Sequence, residues 1–192
     1  MPEQWRSAVA VVALLTAGCS TMSLRTPESR RDFASAVIEN WSDYARLQAS
    51  RLMEEYGPPD RIDYSELAWS GKGPWKEIRV WDVSPYYDDN LGPADLEQTI
   101  YFSATPESRR RLQAFSKQLR FSPDGKTLSA LGSSEADNFL VLNLADEIAS
   151  GRATPDEARD FYERTMRLTL AGKFTPYTQR LLFSPFAGPA AR

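Results

Sequence analysis

Histidine is absent from this chain of 192 residues. Its absence removes the commonest general base, the commonest metal ligand and every Ser–His or Cys–His nucleophile pair. Cysteine is nearly as scarce. Cys19 stands alone, which excludes an intrachain disulfide, a cysteine zinc site and an iron–sulfur cluster. Neither sign of charge is in large excess: 23 Lys and Arg face 26 Asp and Glu, a net of −3. That balance gives no electrostatic reason to expect nucleic acid as a partner. No phosphate-binding glycine loop and no Gly-x-Ser-x-Gly elbow occurs. Gly92 and Asp95 do not fall at positions six and twelve of a calcium loop. No cofactor and no metal is therefore expected. What is present, 42% hydrophobic and 26% charged residues, is the composition of a globular protein, and the length suits one domain.

The first residues read as an address rather than as fold. Arg6 gives a weakly positive start, diluted by Glu3. Ser7 to Ala17 is an uncharged run of eleven residues, too short for the ~20 that a spanning helix needs. The sequence Leu15-Thr16-Ala17-Gly18-Cys19-Ser20 follows. This segment resembles the bacterial lipoprotein signal, with Ala17 and Gly18 in the pattern and Leu15 one place before its usual position. The resemblance implies cleavage before Cys19, acylation of Cys19 (palmitate among its chains), and a protein held to a membrane in the cell envelope. Ser20 after the cysteine implies the periplasmic face of the outer membrane. Acyl chains contribute about 0.8 kcal/mol per buried CH₂, enough for firm anchoring when several are attached.

The expected organisation is a signal peptide (1–18), a lipidated tether (19–25), one α+β domain (26–172) and a tail lying on the surface (173–192). Thr26-Pro27-Glu28-Ser29 starts a helix. Apolar residues at Phe33, Val37, Trp41, Tyr44, Ala45 and Leu52 extend it as one amphipathic element, with Gln48 its polar interruption and Gly57-Pro58-Pro59 its stop. Alternation predicts strands over 63–69, 75–83 and 96–103. Gly71 to Pro74 turns between the first two, and a loop from Ser84 to Asp95 joins the last. A helix of about ten residues follows Thr105. Pro123-Asp124-Gly125 marks a hairpin. Ser133 or Ser134 caps a helix reaching Ile148, with Phe139, Leu140, Leu144 and Ile148 inward. Thr154 opens a last helix, ended near Gly172, with Ala158, Phe161, Tyr162 and Leu168 toward the core. The simplest packing sets Ile78, Val80, Ile100 and Phe102 against the first helix. The hexapeptide Thr-Pro-Glu-Ser-Arg-Arg occurs at 26–31 and again at 105–110. The sequences after the copies do not align, so recurrent helix capping explains it better than duplication.

Several segments together resemble a group of uncharacterised bacterial exported proteins: Glu55-Tyr56-Gly57-Pro58-Pro59-Asp60, Leu67-Ala68-Trp69, Gly73-Pro74-Trp75-Lys76, Leu96-Glu97-Gln98-Thr99-Ile100, and Asn138-Phe139-Leu140-Val141-Leu142-Asn143-Leu144-Ala145. That likeness brings no activity with it. The order helix, Gly-Pro break, consecutive antiparallel strands is similar in topology to small outer-membrane assembly lipoproteins of the SmpA/OmlA (BamE-like) type. Fold analogy does not license function.

Chemistry is expected first on one face of the middle strands. Glu77, Arg79 and Trp81 share that face with Glu97, Thr99 and Tyr101, and Trp75 stands at its start. Trp75, Glu77, Arg79, Trp81, Thr99 and Tyr101 form the candidate binding face. Its aromatics could stack on a sugar or a peptide side chain, and its arginine could pair with an anion. The competing expectation is that the C-terminal helices cover this face. Paired carboxylates are the remaining acid–base option, drawn from Glu54, Glu55, Asp60, Asp82, Asp88, Asp89 and Asp95. Asp88-Asp89 reads more simply as a solvated turn. The leading expectation is a non-catalytic envelope module that binds a protein or a cell-wall component. The alternatives are a carboxylate-dependent enzyme on cell-wall glycan and a periplasmic binder of a small ligand.

Overall fold

The computed structural model describes residues 26–84 and 94–185. The leader, the tether with Cys19, the loop aspartates Asp88 and Asp89 and the last seven residues of the tail lie outside the described residues. The fold is α+β, as the sequence predicts. Its helices are α1 (Pro27–Ile38), α2 (Asp43–Tyr56), α3 (Pro106–Phe115), α4 (Glu135–Ala149) and α5 (Pro155–Leu170). Its strands are β1 (Arg61–Ile62), β2 (Glu66–Lys72), β3 (Trp75–Trp81), β4 (Leu96–Tyr101), β5 (Leu119–Phe121) and β6 (Thr127–Gly132). They form one six-stranded antiparallel sheet in the order β1-β2-β3-β4-β6-β5. Among the described residues no helix is long and apolar enough to cross a membrane.

Turn chemistry sets the sheet's register. Lys72 pairs with Trp75 across the two residues Gly73 and Pro74. Gly73 has φ +52°, while proline cannot take positive φ. A positive φ at the first central position alone is the type II′ solution, whose twist suits adjacent strands. Between β5 and β6, Ser122 donates to Asp124 at 2.6 Å and the Gly125 N–H returns to the Ser122 carbonyl at 2.8 Å. That turn sends β6 back between β4 and β5.

All the helices that touch the sheet do so on one face. α2 lies over β2 and β3, and α4 lies over β4 and β6. α3 and α5 pack on α4 rather than on the strands. The anticipated packing of Ile78 and Val80 under an N-terminal helix is therefore realised by α2, while α4 covers β4. Sandwiched in this way, α4 has every residue from Asp137 to Ala145 buried, so its apolar character runs all round rather than along one stripe. Leu140, Leu142 and Leu144 are each at most 1% exposed, a burial of about 1.5–3 kcal/mol apiece.

Two expectations change. The first helix is two: Ser42 accepts from the Ala45 N–H and restarts the chain as α2. The break buries Trp41, whose indole donates to the Tyr64 carbonyl at 2.7 Å. An N-cap within an unbroken apolar period is easily overlooked, because the period survives the break. Tyr44 and Leu168, expected in the core, are 40% and 38% exposed. The described part of the tail is tied to α4 and to the end of β4. Buried Asn143 donates to the carbonyls of Tyr177 and Arg180 and accepts the Leu182 N–H at 2.7 Å. Phe183 meets Phe102 edge-on at 6.1 Å. The described core draws on residues from Ala34 to Ala158.

Candidate functional site

Strand register builds the face turned away from the described helices. Glu66 sits opposite Trp81 and Ala68 opposite Arg79. Arg79 sits opposite Glu97 and Glu77 opposite Thr99, with Leu131, Ser129 and Arg120 continuing the rows across β6 and β5. The described helices gather on the other face, so the expectation that the C-terminal pair covers this one is replaced. The result is a polar surface laced with ion pairs. Arg79 Nη2 meets Glu77 Oε2 at 2.9 Å, and Arg61 bridges Glu66 and Glu77. Thr99 and Ser129 share a hydroxyl hydrogen bond of 2.7 Å. Lys76 lies over the Tyr101 ring at 5.7 Å. Glu97 at the centre is buried. Burial pushes its carboxyl above the ordinary range, opposed by its bond to Ser129 and by the charges of Arg79 and Arg120.

The two tryptophans of the predicted face are not surface aromatics. Trp81, 5% exposed, packs with Ala94 and Leu131 and donates its indole N–H to Glu66 at 2.9 Å. It forms one wall of a cleft of about 330 Å³ shared with Arg61, Asp63, Ser65, Glu66 and Val83. Trp75 turns to the helix side, where it stacks on Phe139 with centroids 5.0 Å apart. The structure thus brings Glu77, Arg79, Thr99 and Tyr101 together and separates Trp75 from them. Of the six predicted residues, Trp81 alone is among those lining the described cleft, whereas the small-ligand alternative needs several of the aromatics to line one pocket.

On the helix side the sequence reading missed a polar hub. Oε1 of Glu135, at the start of α4, accepts from Tyr56 Oη (2.6 Å), Trp75 Nε1 (2.9 Å) and Gln98 Nε2 (2.7 Å). Gln98 in turn accepts from Asn138, which also donates to the Leu96 carbonyl. Glu55 stands beside this hub. Burial, and then the Glu135 charge, push the Glu55 carboxyl upward. Burial also raises the Tyr56 phenol, and its bond to Glu135 adds to the rise. Among the other candidate carboxylates, Asp82 accepts the Ser42 N–H at 2.7 Å and Asp60 the Ser70 N–H at 2.8 Å. Asp95 is raised by burial and then by the Asp82 charge.

A second buried carboxyl, Asp137, was also missed. It accepts from Gln118 at 3.0 Å, from the Ser133 N–H at 3.3 Å and from the Tyr162 hydroxyl at 2.8 Å. Gln118 and Tyr162 line a cleft of about 240 Å³ between the end of α3, the segment 116–118 and α5. One signal for both clusters was present: Asp137, Asn138 and Asn143 interrupt the most apolar helix of the chain, and buried polar groups need partners. Among the described residues no group of three or more acidic side chains is placed to hold a metal ion.

Comparison with known proteins gives no family model, no curated relative and no solved structure that matches this chain.

Proposed function

We propose that this chain is a lipid-anchored envelope protein, acylated at Cys19, whose domain binds a protein or cell-wall component rather than catalysing a reaction. The observation that carries the binding role is the six-stranded sheet with helices on one face and a polar, ion-paired surface on the other. A sheet face on which none of the described helices packs is a natural place for a partner, and its paired charges supply register and specificity rather than raw affinity. The anchor rests on the short apolar leader, the small residues before Cys19 and the lack of any other cysteine. Crosslinking in intact cells tests both halves. A photoreactive residue at Lys76, exposed at the edge of this face, is expected to capture a partner that the same residue at Arg46 on α2 does not. Cys19→Ala is expected to abolish palmitate labelling and to weaken the capture. Equal capture from both positions would reject the face, and palmitate retained in Cys19→Ala would reject the anchor.

A second reading, a carboxylate-dependent enzyme acting on cell-wall glycan, has one observation in its favour. Glu55 and Glu135 converge, and the Glu55 carboxyl is raised while Glu135 is held by three donors. Two carboxylates in unlike surroundings can divide acid and base roles, and glycoside cleavage further requires them to stand about 5–10 Å apart around the sugar, so Glu55 must swing from hydrogen-bond reach of Glu135 when substrate enters. Glu135→Gln keeps an oxygen for the three donors and so preserves the fold. Under this reading purified protein clears a cell-wall suspension, and either Glu55→Gln or Glu135→Gln abolishes the clearing. Clearing that survives both substitutions, or no clearing by the unaltered protein, refutes it.

A further inference from the structure

We propose that the end of α5 and the segment after it form a site for an anionic lipid surface. Between Arg164 and Leu182 the chain carries four basic residues, Arg164, Arg167, Lys173 and Arg180, and no acidic one. The rest of the chain holds 19 basic against 26 acidic residues, a net of −7. Positive charge is therefore concentrated in one stretch of an otherwise acidic chain.

The same stretch exposes its apolar side chains. Leu170 is 84% exposed, Phe174 62%, Leu182 44% and Leu168 38%. Helix-end geometry accounts for their grouping. Gly172 has φ +77°, the Lys173 N–H reaches back to the Leu168 carbonyl, and the Gly172 N–H reaches the Thr169 carbonyl, each at 2.9 Å. This Schellman turn folds the chain back, so Lys173 and Phe174 stand beside the last turn of α5 rather than beyond it. The hydrophobic contact that often accompanies such a turn joins C″ to C3; here C″ is Lys173, and Leu170 and Phe174 on either side of the turn face water.

Exposed leucine and phenylalanine among arginines and a lysine are the chemistry of interfacial binding: apolar side chains enter the acyl boundary while cations meet anionic headgroups. Charge complementarity selects an anionic bilayer as the occupant. The lipid-anchor reading adds only the reason that a bilayer is near. α1 lies on the β1–β2 flank, where Arg30 and Asp60 approach to 3.9 Å, and α5 lies toward β5. The seven residue steps from Cys19 to Thr26 span up to about 24 Å, which allows the far flank to turn toward the membrane.

The test uses the chain from Cys19 onward, produced without its leader and hence unacylated, because the described core draws on residues from Ala34 on. It is sedimented with phosphatidylcholine vesicles with and without phosphatidylglycerol. Binding is expected only with phosphatidylglycerol, weakened about tenfold or more by high salt and by Leu170→Glu/Phe174→Glu. Leu47→Glu, an exposed apolar position on α2, is expected to bind normally, and all variants are expected to melt like the unaltered chain. Absence of vesicle binding, or equal binding by Leu170→Glu/Phe174→Glu, overturns the proposal. So does concentration-dependent dimerisation that this double variant abolishes while vesicles go unbound, which assigns the patch to a second copy. None of these outcomes involves acylation, so failure here and failure of the Cys19 anchor are separate results.

Discussion

Replacing Gly132 by alanine is expected to destabilise the domain by about 3 kcal/mol, the upper range for forcing an extra carbon into a packed interior. Gly132 closes β6 opposite Leu96. A Cβ built there meets Asn138 Oδ1 at 2.5 Å and Asp137 Oδ2 at 2.6 Å. Neither neighbour moves freely. Asn138 is fully buried and tied to the Leu96 carbonyl and to Gln98, and Asp137 is held by three donors. Making room thus breaks hydrogen bonds in both clusters as well as crowding the strand. Gly132 does not have positive φ, so the penalty comes from contact and not from backbone conformation. At this domain size the loss corresponds to a drop in Tm of about 6–12 °C. Urea unfolding followed by tryptophan fluorescence is the check. A midpoint equal to that of the unaltered protein would mean that the α4 side chains yield without loss, contrary to the packing described.

The contrast between that position and its surroundings shows what sequence alone conveys here. Local signals located most elements: Thr105 before Pro106, the capping box of Thr154 and Glu157, the Gly73-Pro74 turn and the Pro123-Asp124-Gly125 hairpin all act where they stand. These are short-range effects of backbone geometry, so one sequence suffices to see them. The layer order was not visible. Whether the C-terminal helices lie over or under the strands depends on α4 being apolar on all sides, which lets it carry the sheet on one face and α5 on the other. The candidate face was only partly legible for the same reason. Alternation correctly paired Glu77 and Arg79 with Thr99, but it could not tell that Trp75, at the strand's start, would turn toward Phe139. Glu135 and Asp137 acquire their roles from partners 79 and 25 residues away in the chain, which no local pattern encodes.

Asp137 supplies the second large effect, and its substitutions are expected to act in opposite directions. Burial is the main influence on its carboxyl and raises it above the usual aspartate range, despite the bonds from Tyr162, Ser133 and Gln118 that favour the anion. The sign follows from linkage. A carboxyl raised on folding binds its proton more tightly in the native state, so between the unfolded value of about 4 and the higher folded value the native state holds more protons. Stability from this group is therefore greatest below the window, falls as pH rises through it, and stays lowest above it. Asp137→Asn removes the ionisation while keeping an oxygen for Gln118 and the Ser133 N–H, and its amide can donate to the Tyr162 hydroxyl. It is expected to match or exceed the unaltered protein near neutral pH, and its advantage is expected to shrink as pH falls through the window toward 4. Asp137→Leu keeps neither acceptor. It strands Gln118 Nε2 and the Ser133 N–H in the interior at about 1–3 kcal/mol each, for a loss of about 3 kcal/mol or more at any pH. Denaturation midpoints of the three proteins across that pH range decide the matter. If Asp137→Asn shows the same pH slope as the unaltered chain, the carboxyl does not titrate above its unfolded value. If Asp137→Leu is as stable as Asp137→Asn, then the donors around this carboxyl find water on opening, and the interior between α3, α4 and α5 is looser than its hydrogen bonds indicate.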